Sequence, residues 1–372
     1  MISTDRKIFE EGSAVRARMI EYGKLFDELH IIVFSKRFTL HASRFTLSDN
    51  TFVYPTNSIS KLFYISNAIR IGKSILLKST TDWVVSCQDP FETGFAGWKI
   101  AKSTGAKLHL QIHTDFLNPY FKTLSLLNRI RVRLALFLLP KANGIRVVSE
   151  RIKNSLEAAN LKLGASVAVL PIFVDKEQVE ANYRGVDLKR KYPQFNFIIL
   201  VVSRLTREKN VEGAIGALAY IHKKYPKVGL VIVGSGPLES SLKLKARSYH
   251  LEASVIFEGW QNDTASYYKS ADAFLFPSRY EGYGLALIEA ALLGCPVVTT
   301  NVGIAGDVCK NGENAFVCKV NDAQCLALGI MRLVENVSLR HTFSLRLKEA
   351  VEATLPKNKE EYLGLYKKSL GI

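Results

Sequence analysis

The chain has 372 residues, of which 48% are hydrophobic and 23% charged, with a formal net charge of +16. That is a globular composition, long enough for two cores and free of low-complexity tracts or solenoid-period repeats. The longest apolar runs, such as residues 134–139, fall far short of the ~20 residues a membrane-spanning helix needs.

The charge is uneven. Residues 1–200 hold 29 Lys+Arg against 17 Asp+Glu, an excess of 12; residues 201–372 hold 21 against 17, an excess of 4. A basic first half suits an anionic partner such as a phospholipid surface, a polyprenyl phosphate or nucleic acid, and plain solubility is the simpler alternative. No recognised nucleic-acid module or basic–aromatic alternation is present, so nucleic acid is not expected. The five cysteines, Cys87, Cys295, Cys309, Cys318 and Cys325, show no CxxC or Cys/His ligand spacing. They read as reduced thiols. Asp5, Arg6 and Lys7 come too early for a secretory leader, so a cytoplasmic protein is expected.

Residues 1–4 predict a very short apolar strand, 5–11 a polar loop, and Gly12-Ser13 the opening of a helix that runs through Phe26. Residues 31–34, 51–54 and 83–86 read as strands and 59–77 as helical. Asp89 and Glu92 share the loop after the third of these strands and read equally as acceptor-binding groups or ordinary loop residues. Residues 108–112 form another strand, and His113-Thr114-Asp115 lies at its end, where an open α/β sheet places its site residues. Residues 120–146 combine leucines with Lys122, Arg129, Arg131, Arg133 and Lys141 and contain no acid. This is the pattern of a helix lying on a membrane surface, or of a core helix with a solvated basic edge. Strands follow at 144–149 and 167–170, with a helix at 151–159 between them.

Residues 171–196 are polar, with Pro171, Gly185, Pro193 and the run Lys189-Arg190-Lys191, and are read as a linker. The expected division is 1–175, 176–355, and a C-terminal helix over 356–372 that crosses back to the first domain. From Phe197 strands and helices alternate as in a doubly wound parallel sheet. The loop 203–210 carries Arg204 and Lys209, two cations suited to a diphosphate. Gly234-Ser235-Gly236 is a weak dinucleotide signal but a plausible tight turn beside a ligand.

Residues 274–300, FLFPSRYEGYGLALIEAALLGCPVVTT, read as strand, turn, helix, strand. Gly294 and Pro296 stop the helix. Glu289 is the odd residue on an otherwise apolar helix, which points to a polar cleft, with an edge-exposed Glu as the plain alternative. Unpaired amides at Gly284 and Leu285, where the helix starts, attract phosphate.

Glu281-x7-Glu289, with Pro277-Ser278 before it and Glu281-Gly282-Tyr283-Gly284 within it, resembles the signature of family 4 retaining glycosyltransferases of the GT-B fold. The likeness covers residues 197–320 well and 80–175 loosely. It implies two Rossmann-like domains facing across a cleft and transfer of a sugar from a nucleotide-diphosphate sugar to a sugar or lipid-linked acceptor. Polysaccharide or glycolipid assembly at the inner face of the cytoplasmic membrane is the setting it suggests. The resemblance gives Glu281 to the transferred sugar, Glu289 to the ribose, and Arg204 and Lys209 to the diphosphate. It places His113 near the donor sugar and Gly12 at the diphosphate; Gly236, at its tight turn, and Gly284 and Leu285, at the helix start, are further candidate donor contacts. Where the family has a Gly-Gly loop after a longer first strand, this chain has the single Gly12. No D-x-D pair or metal-ligand cluster appears, so neither metal nor cofactor is expected. The rival expectations are a catalytically degenerate nucleotide-sugar-binding protein and a nucleotide-sugar epimerase.

Overall fold

A computed structural model describes residues 1–37, 42–77, 82–181 and 183–371. Strand β1 is only Ile2–Ser3; α1 (Ala14–Gly23) follows, capped by Ser13, whose hydroxyl accepts from the Arg16 amide. Next come β2 (Leu29–Val33), β3 (Phe45–Ser48), β4 (Thr51–Pro55), α2 (Tyr64–Leu76), β5 (Val84–Cys87), α3 (Glu92–Thr104) and β6 (Lys107–Ile112). The half closes with α4 (Pro119–Thr123), α5 (Leu126–Leu138), β7 (Gly144–Val147), α6 (Glu150–Ala158) and β8 (Val167–Val169). Among the described residues these strands form one sheet, ordered β3-β4-β2-β1-β5-β6-β7-β8. All pairs are parallel except β3 with β4. The sequence reading omitted β3, whose burial is only partial. It also started α2 too early: residues 61–63 make a separate 3-10 turn.

Alternation along the strands separates two apolar layers. Ile2, Ile32 and Phe34 face one core. On that face α2, α3 and α5 pack side by side. Ile31 and Val33 face the other, where α1 meets the C-terminal helix and Tyr22 stacks on Tyr366 at 4.4 Å.

The linker region holds α7 (Lys176–Ala181) and α8 (Leu188–Lys191). Its basic run is docked rather than free. Lys189 pairs with Asp272, and Lys191 lies 2.6 Å from Glu258.

The second half runs β9 (Phe197–Val202), α9 (Val211–His222), β10 (Val228–Val233), α10 (Glu239–Ser248), β11 (Val255–Gly259), α11 (Thr264–Ser270) and β12 (Ala273–Phe276). It continues with α12 (Leu285–Leu292), β13 (Val297–Thr300), α13 (Ala305–Val308), β14 (Phe316–Cys318), α14 (Ala323–Glu335) and α15 (Val337–Glu352). The strands form an all-parallel sheet, β11-β10-β9-β12-β13-β14. Near-continuous Val/Ile/Leu in β9 and β10 suits strands covered on both faces. Helices α9 and α14 pack together on one side, α12 and α15 on the other. The winding reverses between β9 and β12, so the loops after those two strands lie side by side.

Helix α16 (Lys359–Ser369) packs on β7 of the first sheet. Arg146, buried in β7, donates to Leu170 O, Pro171 O and Gln111, and to the Tyr362 hydroxyl of α16 at 3.0 Å. One guanidinium therefore ties the first sheet, the start of the linker and the last helix together.

The reading of all five cysteines as free thiols is corrected. Cys318 and Cys325 are disulfide-bonded, with Cα atoms 5.8 Å apart. The left-handed turn at Asn321 folds the end of β14 back onto the first turn of α14. A spacing of seven residues gives no hint of this. Cys87, Cys295 and Cys309 are buried free thiols.

Candidate active site

Two neighbouring loops of the second sheet form one wall of the site. Asn210 adopts φ +50° and donates from its side chain to Pro277 O at 3.0 Å, which clips the loop after β9 to the loop after β12. The Arg279 amide adds a second clip to Glu208 O at 2.7 Å. Between the clips, Lys209 Nζ lies 2.6 Å from Glu281 Oε1, and the Ser278 hydroxyl donates to the same oxygen at 2.7 Å. The Lys209 and Glu281 side chains are only 16% and 10% exposed. An ion pair so placed is only weakly screened by salt. Arg204 is different: its side chain is 68% exposed, and a 3.3 Å contact with Glu208 on its own loop holds it loosely. Its guanidinium is accessible to an anion from solvent.

The 234–236 turn supports this wall from behind. A Cβ at Gly236 would stand 2.6 Å from Leu205 O, and one at Gly234 only 1.9 Å from Ser203 O. Gly236 therefore lets one backbone lie directly on the loop that presents Arg204. Helix α12 opens at Gly284, whose φ of +103° suits glycine, and its first amides have no partner within the helix.

The other wall comes from the first sheet, and the two walls touch. A Cβ at Gly282 would fall 1.8 Å from His113 O. The backbone after β6 therefore lies against the turn that holds Glu281. Ser149, which caps α6, donates to Gly282 O at 3.0 Å. Arg151 donates to Gly303 O at 3.0 Å and also bonds Asn301. Phe121 of α4 meets Tyr280 edge-to-face at 5.8 Å, and Asn321 donates to the Tyr120 hydroxyl at 3.2 Å. On the other side of the cleft, Lys7 from the loop after β1 sits 6.0 Å over the Trp260 ring.

His113 is pushed down to about 3 by burial, with Arg146 and Arg18 adding to the effect. At neutral pH it is an uncharged imidazole, with Nε2 3.3 Å from Gln111. The Gln111 oxygen accepts from Nε2–H, so Nδ1 can accept a hydrogen bond from a sugar hydroxyl, and the ring brings no positive charge.

The remaining expected residues have other surroundings. Glu289 faces α11 rather than Glu281. Burial raises its carboxyl above the usual range, and the neighbouring Tyr268 hydroxyl, which forms no well-made hydrogen bond, opposes that rise. Gly12 is exposed, and a Cβ on it would meet nothing within 4 Å; only its φ of +74° asks for glycine. The loop acids after β5 are in use within the first half. Asp89 accepts from the amides of Phe91 and Thr93 and so caps the start of α3. Glu92 pairs with Arg131 of α5 at 2.8 Å. Between binding group and ordinary loop residue, the contacts favour the latter for both.

The sequence reading missed Ser149, Arg151, Tyr120 and Asn321. Ser149 followed by a helix is a capping signal, but its second bond goes to a backbone carbonyl in the other half, and no sequence pattern marks such a target. Among the described residues no group of three His, Cys, Asp or Glu is placed to hold a metal ion, and no helix is long and apolar enough to cross a membrane.

Residues 187–349 match the family described as "Glycosyl transferases group 1". The chain is 30% identical over 221 residues to the capsular polysaccharide biosynthesis glycosyltransferase CapM of Staphylococcus aureus, covering 57% of each protein. It is 28% identical over 243 residues to the alpha-monoglucosyldiacylglycerol synthase of Streptococcus pneumoniae, covering 63% of this chain and 54% of that one. The chain thus spans little more than half the length of these curated relatives. In three dimensions it is similar to Anabaena HepE, solved in complex with UDP, with a TM-score of 0.75, 17% identity, and 100% of this chain and 98% of that chain covered.

Proposed function

We propose that this chain, a GT-B fold whose residues 187–349 are a glycosyl transferases group 1 domain, transfers a sugar from a nucleotide-diphosphate sugar to an acceptor hydroxyl. The observation that carries the reading is the pairing of Lys209 with Glu281 beside an exposed Arg204, at the winding reversal of the second sheet. The named activities of CapM and the glucolipid synthase support it, as does the UDP bound to a protein of the same fold.

Breaking the anomeric C–O bond builds negative charge on the departing diphosphate. Groups fixed where that charge develops lower the barrier without reorganising. Arg204, Lys209 and the first amides of α12 supply such groups. Glu281, already held by Lys209 and Ser278, is oriented to accept from sugar hydroxyls. The same two bonds make it a poor nucleophile. The family resemblance implies retention of configuration; without a protein nucleophile, the acceptor oxygen bonds the anomeric carbon on the face the diphosphate leaves, and its proton passes to the departing phosphate oxygen. Neutral His113, whose Nε2–H bonds Gln111, accepts from a sugar hydroxyl through Nδ1 from the other wall. Glu289 is assigned to the ribose hydroxyls as the resemblance implies, with the buried Tyr268 hydroxyl behind it. Cationic side chains take the place of a metal, so transfer should persist in EDTA.

The acceptor is a sugar or a lipid-linked sugar, in surface polysaccharide or glycolipid assembly. The test is thermal-shift titration with nucleotides and nucleotide sugars, followed by transfer to lipid-linked acceptors. A ligand that binds only the folded chain raises its midpoint with concentration. A chain that no nucleoside diphosphate stabilises would end this reading.

A further inference from the structure

Helix α5 turns the wrong residues outward. It buries Asn128, Val132, Ala135 and Leu138. Its solvent face carries Leu126 (73% exposed), Ile130 (59%) and Phe137 (46%), with Leu127 also exposed. These recur at helical spacing, so they form a stripe rather than scattered surface apolars. The stripe continues onto α3, where Trp98 meets Phe137 edge-to-face at 5.2 Å and Phe95 lies 5.6 Å from Trp98.

Cations surround it. Lys99 sits 4.8 Å over Trp98, Lys102 lies 5.7 Å from the same ring, and Lys141 sits 3.8 Å over Phe137. Arg129 and Arg133 are exposed among the leucines. The three adjacent helices contribute Arg70 and Lys73 from α2, Lys99 and Lys102 from α3, and Arg129, Arg131 and Arg133 from α5. Against these seven stands one acid, Glu92, which is neutralised by Arg131.

We propose that this α3/α5 face docks on an anionic lipid bilayer, with the α5 stripe in the acyl–headgroup boundary and the surrounding lysines and arginines on lipid phosphates. A water-facing helix gains nothing from exposed Leu, Ile and Phe, whereas an interfacial one buries them. Each Lys or Arg near an anionic surface adds about 1 kcal/mol, roughly a fivefold gain in partition. A protein partner would need a concentrated acidic surface to match this ring of cations; a bilayer supplies mobile negative charge and an apolar interior together. The face also lies close to the site: α4 packs on the start of α5, and its Phe121 touches Tyr280 beside Glu281. The purpose of docking, delivery of a lipid-linked acceptor, rests on the proposed function; the surface itself does not.

The experiment is co-sedimentation of the full chain with phosphatidylcholine vesicles, with and without phosphatidylglycerol. The wild-type chain is expected to pellet with the anionic vesicles and far less with phosphatidylcholine alone. The triple variant L126E/I130E/F137E should lose at least about tenfold in partition. R129Q/R133Q should lose roughly tenfold or more on anionic vesicles, and nearly nothing on neutral ones. Thermal midpoint and nucleotide-induced shift, both measured without vesicles, should match wild type in these variants, which separates this surface from the transfer site. A wild-type chain left in the supernatant overturns the proposal, as does a triple variant that pellets unchanged. So does a dimer in solution that the triple variant dissolves while neither form binds vesicles, because the stripe then joins two copies of the chain. Vesicle binding without any nucleotide shift would leave this inference standing and remove the transferase reading.

Discussion

The two sheets present equivalent edges to one cleft, yet their charged residues do different work. In the second half, the loops at the winding reversal bring Lys209 and Glu281 into a nearly buried pair and leave Arg204 beside it, exposed and loosely held. In the first half, the acids on the corresponding edge are tied down within the half, Asp89 as a cap and Glu92 to Arg131, while Arg129 and Arg133 of α5 are exposed to solvent. On the proposed reading, one half would hold the chemistry and the other would present a surface. The first half still contributes to the cleft, mostly through backbone: His113 O against Gly282, and Ser149 and Arg151 on carbonyls of the opposite wall. A shape-based contribution of this kind tolerates loop variation, which suits the half that would select an acceptor.

The largest effect should come from breaking the pair in the second half. Lys209→Ala removes a diphosphate cation and leaves Glu281 with only Ser278. Turnover should fall about 10²–10³-fold. The folded state should lose about 3 kcal/mol, because one member of a poorly exposed ion pair is left alone. Steady-state rates and urea unfolding of the same preparation check both. A variant with wild-type turnover would show that the pair is only structural and that the contrast between the halves is misplaced.

The next effect tests contact between the walls. Gly282→Ala would put a methyl group 1.8 Å from His113 O, and backbone cannot yield there as a flexible side chain can. The walls must part, and a displacement of about 1 Å at reacting groups costs roughly 10²-fold. Nucleotide binding to the isolated second wall should persist, so kcat should fall much more than the nucleotide midpoint shift. Arg151→Ala is milder. It removes the bonds to Gly303 O and Asn301 but leaves Ser149 on Gly282, and about a tenfold loss in kcat/KM is expected, on the order of one charge-assisted hydrogen bond. If R151A matched wild type while G282A failed, closure would rest on shape alone.

How much of this the sequence revealed follows from where each signal lies. The motif from Pro277 to Glu289 is contiguous, and so is the loop from Arg204 to Lys209, so residue type and spacing were enough to nominate them. The parallel βα alternation was legible for the same reason. The bridge across the cleft was not, because Ser149 and Arg151 act on the carbonyls of Gly282 and Gly303, and a carbonyl has no sequence identity. Helix α5 was ambiguous for a different reason. It is apolar on both sides, so periodicity could not tell whether Leu126 and Ile130 or Val132 and Leu138 faced inward. Only packing against α3 and α4 decides that. The bond between Cys318 and Cys325 depends on a left-handed turn at Asn321 that residue spacing does not announce.

The smallest expected effect concerns pH, and it too separates the halves. His109 and His113, both in the first half, are pushed down to about 3 from an ordinary 6.5, chiefly by burial. The folded chain refuses protons that the unfolded chain accepts. Stability from this pair is therefore complete above about pH 6.5 and drains as pH falls toward 3, by up to about 1.4 kcal/mol per pH unit for each histidine. Buried carboxyls act in the opposite direction. Asp89, Asp115, Glu289 and Asp307 lie above their ordinary values, so acid stabilises them in the fold and blunts the slope. The difference between two chains isolates one histidine. Between pH 6 and pH 5, wild type should lose about 1 kcal/mol more than His113→Gln, read from urea unfolding at each pH. Parallel curves would mean that His113 can take a proton in the folded state. In that case it could carry charge to the departing diphosphate, and the first half would contribute chemistry to the cleft as well as shape.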